Sequence, residues 1–245
     1  MATIDGQDAF VHGVSVIGLD RGAALQHPAV DTDESGRRAQ IVRAAAAVLG
    51  RQGYGETSLK DVAREAGVAP GLLHYYFESK QELLLEVVVA LEREMIHDWQ
   101  AAVEDIDDPL ERIVAALDHA AARCSEQPEF FRLLFDLYNI GLSSPALQAR
   151  CAQMWTHFID EIEAEVRRVL GRLPAYAVVP PRDLAGAVAG AIDGIALSGL
   201  VMRQAPNDLY HALKVLLLSL VVTAYVTAGQ DPPVARLREL LSRTR

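Results

Sequence analysis

From Arg37 onward, Ile41, Ala44, Ala45, Val48 and Leu49 recur at spacings of three and four, the period of an amphipathic helix, and Gly50, Gly53 and Gly55 end the run. Thr57 and Ser58 then offer an N-cap. Ser58 and Asp61 stand at capping-box spacing, and Val62, Ala63 and Ala66 supply the inner face of a short second helix that Gly67 stops. Pro70 suits the first turn of a third short helix running to about Phe77, after which Ser79 caps a long fourth helix beginning at Lys80. The remainder reads as helices near 109–126, 128–142, 145–172, 181–204, 208–229 and 233–243, with Pro109, Pro128, Pro145 and Pro181 placed where helices start. No segment sustains apolar–polar alternation, so the pattern predicts an all-α chain. The first 35 residues keep no lasting period and read as an irregular acidic arm.

Half of the 245 residues are apolar, enough to bury a substantial core. The formal charge of -10 would repel a polyanion if it were spread evenly, but it is not. Residues 36 to 80 carry seven bases against four acids, while the segments on either side are acidic. Cys124 and Cys151 have no cysteine or histidine at ligand spacing, so neither a disulfide framework nor a metal is expected, and no cofactor motif appears. Reduced cysteines and a start without a basic-then-apolar leader point to a cytoplasmic protein. The longest uncharged apolar run, Val215 to Gly229, falls short of the roughly 18 residues of a membrane span, so no membrane partner is expected.

The second and third helices, joined by a turn at Gly67, form a helix-turn-helix in which Val62, Val68, Leu73 and Phe77 turn inward. That leaves Pro70, Gly71, Leu72, His74, Tyr75 and Tyr76 outward. Tyrosine hydroxyls and imidazole N–H groups donate to phosphate oxygens, and small residues at Ala69 to Gly71 let backbone approach bases closely. The stretch TSLKDVAREAGVAPGLLHYYFESKQELL resembles the DNA-binding signature of TetR-family transcriptional regulators, with the likeness covering about residues 38 to 85. The resemblance implies a DNA-binding domain over 36–82. It further implies that Ser58 and Lys60 contact double-stranded DNA, that His74 and Tyr75 grip phosphates, and that Lys80 reaches a phosphate from its helix start. Arg38, beside Arg37, reads either as a minor-groove arm or as a solvated charge. Ala69 and Leu72 depart from the polar residues often found there in the family, so sequence reading falls to Lys60, to Leu72 on thymine methyls and to DNA shape.

By the same resemblance, residues 83–245 form a larger helical bundle that binds an effector and dimerises. AVAGAIDGIALSGLVM is similar to the penultimate helix of the subgroup containing betaine-responsive regulators. Gly186, Gly190, Gly194 and Ser198, at four-residue spacing, form a smooth ridge. With Leu216 and Leu220 of the following helix, that ridge suits either a homodimer interface or packing within the chain. A pocket for a small organic effector is expected among His119, Phe131, Phe135, Tyr138, Met154, Trp155 and Phe158. Hydrolase, kinase and dinucleotide motifs are missing, so the chain reads as a ligand-responsive homodimeric repressor rather than an enzyme. The alternative is a helical interaction module with a degenerate DNA-binding unit.

Overall fold

The computed structural model describes residues 34–170 and 179–242, and among them it contains ten α-helices and no strand. They are α1 (Glu34–Gln52), α2 (Leu59–Glu65), α3 (Pro70–Tyr76), α4 (Lys80–Val103), α5 (Pro109–Glu126), α6 (Pro128–Gly141), α7 (Pro145–Leu170), α8 (Pro181–Met202), α9 (Asn207–Thr227) and α10 (Val234–Ser242). The arm expected over 1–35 lies outside the described residues except at its end, where Glu34 and Ser35 already belong to α1.

Local chemistry sets the helix starts. The Ser58 side chain accepts from the Asp61 N–H while the Asp61 carboxylate accepts from the Ser58 N–H, the reciprocal cap that begins α2. Ser79 accepts from the Glu82 N–H at the start of α4, and Asp108 accepts from the Leu110 N–H at the start of α5. Helix α3 has no side-chain cap, because alanine stands at 69, and leans on Pro70 alone.

Ile41, Ala45, Leu49, Val62, Ala63, Leu73 and Phe77 close the head formed by α1 to α3 over Leu84 and Val87 of α4. That core does not stop at residue 82. It continues through Phe130, Leu134 and Leu137 of α6 into Leu147 and Met154 of α7, so α4 and α6 tie head to body through one apolar interior. A second cluster gathers Trp99, Leu117, Phe158, Ile162, Val188, Ile192 and Tyr210, and a third joins Leu110, Val169 and Leu218 to Leu237 and Leu240 of α10.

Buried charges inside the body have partners in place, Arg112 and Arg123 among them. Arg112 grips Glu165 through Nε at 2.7 Å and Nη2 at 2.6 Å, and its Nη1 donates to the carbonyls of Val103 and Ile106 at the end of α4. Arg123 pairs with Glu94 at 2.5 Å and Asp98 at 2.7 Å and lies over the Phe130 ring. Burial pushes the Glu94 carboxyl up to about 7 despite that pairing. Helices α8 and α9 are long and apolar enough to cross a membrane by length and composition, with about a third or less of each apolar window buried. The uncharged run read from the sequence understated them, because Asp193 and Lys214 interrupt the apolar stretches while turning away from the outer faces.

Candidate nucleic-acid interface and ligand cavity

Helix α3 separates its residues as a helical period dictates: Leu73 and Phe77 are fully buried, and Pro70, Gly71, Leu72, His74 and Tyr75 face solvent. Tyr75 is 70% exposed, its ring edge-on to Tyr76 at 5.2 Å. Tyr76, expected outward, is half-buried against the head core. A Cβ on Gly71 would meet nothing within 4 Å among the described residues. Lys60 is exposed on α2.

Three residues expected on DNA are engaged within the head. The Lys80 ammonium donates to the carbonyls of Tyr54 at 3.0 Å and Thr57 at 2.7 Å and stands 3.8 Å from the centre of the Tyr54 ring. Desolvation lowers its pKa. Lys80, expected to reach a phosphate, here satisfies carbonyls of the α1–α2 connection and ties them to the start of α4. Arg38, read as a minor-groove arm or a solvated charge, lies over Phe77 and pairs with Glu82 at 3.4 Å and Glu86 at 3.3 Å, which ties α1 to α4. The Ser58 hydroxyl donates to Asp61 at 2.5 Å, so its proton serves the cap. Replacing Lys80 with Ala removes the ammonium from the Thr57 carbonyl and leaves the Tyr54 carbonyl only the Thr57 N–H, and is expected to cost about 1–3 kcal/mol, read as a lowered thermal midpoint. A change of sequence preference without loss of stability would refute this role.

In the body, the expected pocket residues divide. Phe135, Tyr138 and Trp155 line a cavity of about 520 Å³ between α6, α7 and α8, together with Leu142, Gln148, Cys151, Gly190, Asp193, Gly194 and Leu197. The Phe135 and Tyr138 ring centres are 6.2 Å apart, and Tyr138 meets Trp155 edge-on at 6.1 Å. Phe131 and Met154 instead belong to the core shared with the head, and Phe158 is buried edge-on against Trp99 at 5.7 Å. His119 lines neither this cavity nor the smaller apolar one, of about 60 Å³, enclosed by Trp99, Leu117, Ile162, Val188 and Leu220. Desolvation lowers the His119 pKa. These four residues stand apart from that cavity.

Asp193 is the residue that the sequence reading missed as a site group. It is the only charged side chain between Asp183 and Arg203, and that isolation in an apolar run was the available signal. Burial raises its carboxyl to about 7, and a hydrogen bond from the Tyr138 hydroxyl partly offsets the rise. Among the described residues that line it there is no Lys, Arg or His. The walls therefore present aromatic rings and one acid, a composition suited to a compact cation.

The glycine ridge also divides. Gly186 faces Ile159 of α7 at 3.9 Å from its would-be Cβ, whereas Gly190 and Gly194 are exposed at the cavity and would meet nothing. Ser198 is half-buried, Leu216 is 66% exposed, and Leu220 turns into the small inner cavity, which removes it from the outward row.

Residues 41–87 match the family model described as bacterial regulatory proteins, tetR family. The chain is 42% identical over 180 residues to the HTH-type transcriptional regulator BetI of Agrobacterium fabrum, covering 72% of this chain and 82% of that protein. Among solved structures, a TetR-family transcriptional regulator from Rhodococcus sp. aligns with a TM-score of 0.61 at 22% identity, over 74% of this chain and 98% of that one. A transcriptional regulator from Saccharomonospora viridis in complex with choline aligns with a TM-score of 0.66 at 19% identity, over 75% and 96%. At such identities the two structures speak to the fold alone.

Proposed function

The chain belongs to the TetR family of DNA-binding transcriptional regulators, and from that premise we propose that it is a homodimeric repressor released from its operator by a small quaternary ammonium cation. The observation that carries the DNA half is the division of labour in the head. Lys80 and Arg38 are held by ties within the chain, while Pro70, Gly71, Leu72, His74 and Tyr75 of α3 face outward with Lys60 of α2. Residues 36–82 act as the DNA-binding unit and 83–242 as the effector and dimerisation unit, with α4 common to both. Two copies joined through the outer faces of α8 and α9 would set two α3 helices about one DNA turn, ~34 Å, apart.

The aromatic trio with Asp193 supports the effector class. A quaternary ammonium gains from ring faces, and its charge pairs with a carboxylate that is otherwise costly to ionise. The choline in the Saccharomonospora structure is consistent with this chemistry. Choline fits better than glycine betaine, because a ligand carboxylate would find Asp193 and no basic group along these walls. The signal has a short path to the head. Phe135 and Tyr138 sit on α6, whose Arg132 donates to the carbonyl of Arg51 at 3.3 Å at the end of α1. A Cβ on Gly50 would stand only 3.1 Å from the Glu129 carbonyl oxygen, so α6 and α1 are in close contact. An effector that shifts α6 must bind the two states of the head unequally to release DNA.

Gel shifts on the chain's own upstream duplex at several salt concentrations test the reading. Binding should weaken steeply with salt, as phosphate contacts require, and millimolar choline should release the complex while equal betaine releases at least tenfold less. Salt-independent binding, or release by both ligands alike, would overturn it.

A further inference from the structure

Net charge makes the head the one stretch of the chain that attracts an acid. Residues 36–80 carry seven bases and four acids, whereas residues 81–245 carry fifteen bases and twenty-three acids. Within the head several cations are already held: Arg38 by Glu82 and Glu86, Arg51 by Glu65, Arg64 by Asp61, and Lys80 by two carbonyls. Lys60 and Arg43 differ. Both are exposed, and neither forms an ion pair among the described residues. Gln40 donates to the Ala66 carbonyl at 2.7 Å, which sets the early turns of α1 against the α2–α3 turn, and Arg43 stands three residues further along the same helix face. Arg38 lies over Phe77 at the other end of α3. The chain that leads into α1 is therefore delivered beside the outward α3 row. That chain is acidic: residues 1–33 hold Asp5, Asp8, Asp20, Asp31 and Asp33 against Arg21 alone.

Resting on the reading of α3 as the DNA-facing row, we propose that the acids of residues 1–33 compete with DNA for that row, their carboxylates meeting Lys60, Arg43 and the His74 and Tyr75 donors where phosphate oxygens otherwise sit. Carboxylate and phosphate offer those donors the same thing, an anionic oxygen. Charge and length select this occupant. The net acidic remainder of the chain repels it, and the 14 residues from Asp20 to Glu34 can span up to ~46 Å, several times the roughly 10 Å length of the seven-residue α3. Attachment supplies the affinity. A tethered segment is present at an effective concentration on the order of mM, so a contact too weak to hold separate molecules together still covers the face for a large share of the time. DNA binds only the uncovered share, and coverage for about nine-tenths of the time weakens binding about tenfold. The competition is blind to sequence, because a stand-in for phosphate reads no base.

Two full-length variants test this. In the first, Asp5, Asp8, Asp20, Asp31 and Asp33 all become Asn. The second loses the same number of charges from exposed positions of the body, through Glu104→Gln, Asp105→Asn, Asp107→Asn, Asp208→Asn and Asp231→Asn. Circular dichroism checks the fold, gel shifts at low salt on the chain's upstream duplex and on an unrelated duplex give affinities, and hydrogen exchange of the DNA-free proteins reports on the α3 amides. The N-terminal variant should bind both duplexes at least fivefold more tightly than wild type, and its α3 amides should exchange faster. The body variant should stay within about twofold of wild type, with α3 exchange unchanged. An N-terminal variant that binds no more tightly than wild type overturns the competition and leaves the DNA reading standing. Equal gains from both variants, or a gain without faster α3 exchange, mean general repulsion of DNA rather than occupation of α3, and overturn it as well. If no form binds either duplex, the reading of α3 as the DNA-facing row falls together with the competition.

Discussion

Asp193→Asn is expected to weaken choline binding about 100-fold at pH 8, a loss of about 2.7 kcal/mol. The substitution keeps an oxygen for the Tyr138 hydroxyl and nearly the same volume, so the rings and the shape of the cavity survive while the one formal charge on its walls goes. The pH dependence separates this from a packing effect. Burial raises the Asp193 carboxyl to about 7, so near neutrality the empty cavity holds a mixture of neutral and ionised forms. The cation pairs with the ionised form, and wild-type affinity should therefore rise with pH through 7 and fall by up to about tenfold per unit below it. The Asn variant should be flat over the same range. Stability runs the other way. A carboxyl whose folded pKa lies above its unfolded value binds more protons when folded, so the ligand-free wild type loses stability as pH rises from about 4 to 7, and Asp193→Asn should melt higher than wild type at pH 8. Calorimetric titrations at pH 6 and pH 8 on both proteins decide the matter. Equal affinities at pH 8 would remove Asp193 from the site.

The head was legible because its determinants are local. Ser58 with Asp61, Pro70 and Ser79 fix helix starts through partners within a few residues, and the spacing of Leu73 and Phe77 fixes which side of α3 is buried. The roles of Lys80 and Arg38 were not, since their partners lie 23 to 48 residues away in sequence and only the folded chain brings them together. A basic residue near a DNA-binding motif looks the same in sequence whether it meets a phosphate or a carbonyl. The pocket failed differently. Phe135 and Tyr138 share α6 with Phe131, and Trp155 adjoins Met154 on α7, so periodicity identifies apolar faces but not which one borders a cavity and which a neighbouring helix. Gly190 and Gly194 were recognised as a close-approach ridge, but the open space beside them, and hence the cavity mouth, depends on where α6 and α7 stop covering α8.

The combined His74→Ala and Tyr75→Phe substitutions are expected to weaken operator binding by roughly 100-fold or more, because each removes a donor to an anionic oxygen and such bonds contribute about 1.5–3 kcal/mol apiece. Both side chains are exposed, and Phe keeps the ring that meets Tyr76, so the thermal midpoint should stay near wild type and the loss cannot be assigned to unfolding. Phosphate donors carry no sequence information, and the loss should be the same on the operator and on unrelated duplexes. Tyr75→Phe alone should leave the salt dependence unchanged, since the hydroxyl is neutral and releases no counterion. Lys60→Ala is the contrasting case: it removes a cation from the outward face of α2 and should lower the salt slope by about 1. If Lys60 also reads a base edge, its loss falls more heavily on the operator than on other duplexes, whereas equal loss on every duplex confines it to phosphate. Should the double variant bind the operator as tightly as wild type while remaining folded, α3 does not present these groups to DNA, and the helical interaction module becomes the better account of the head.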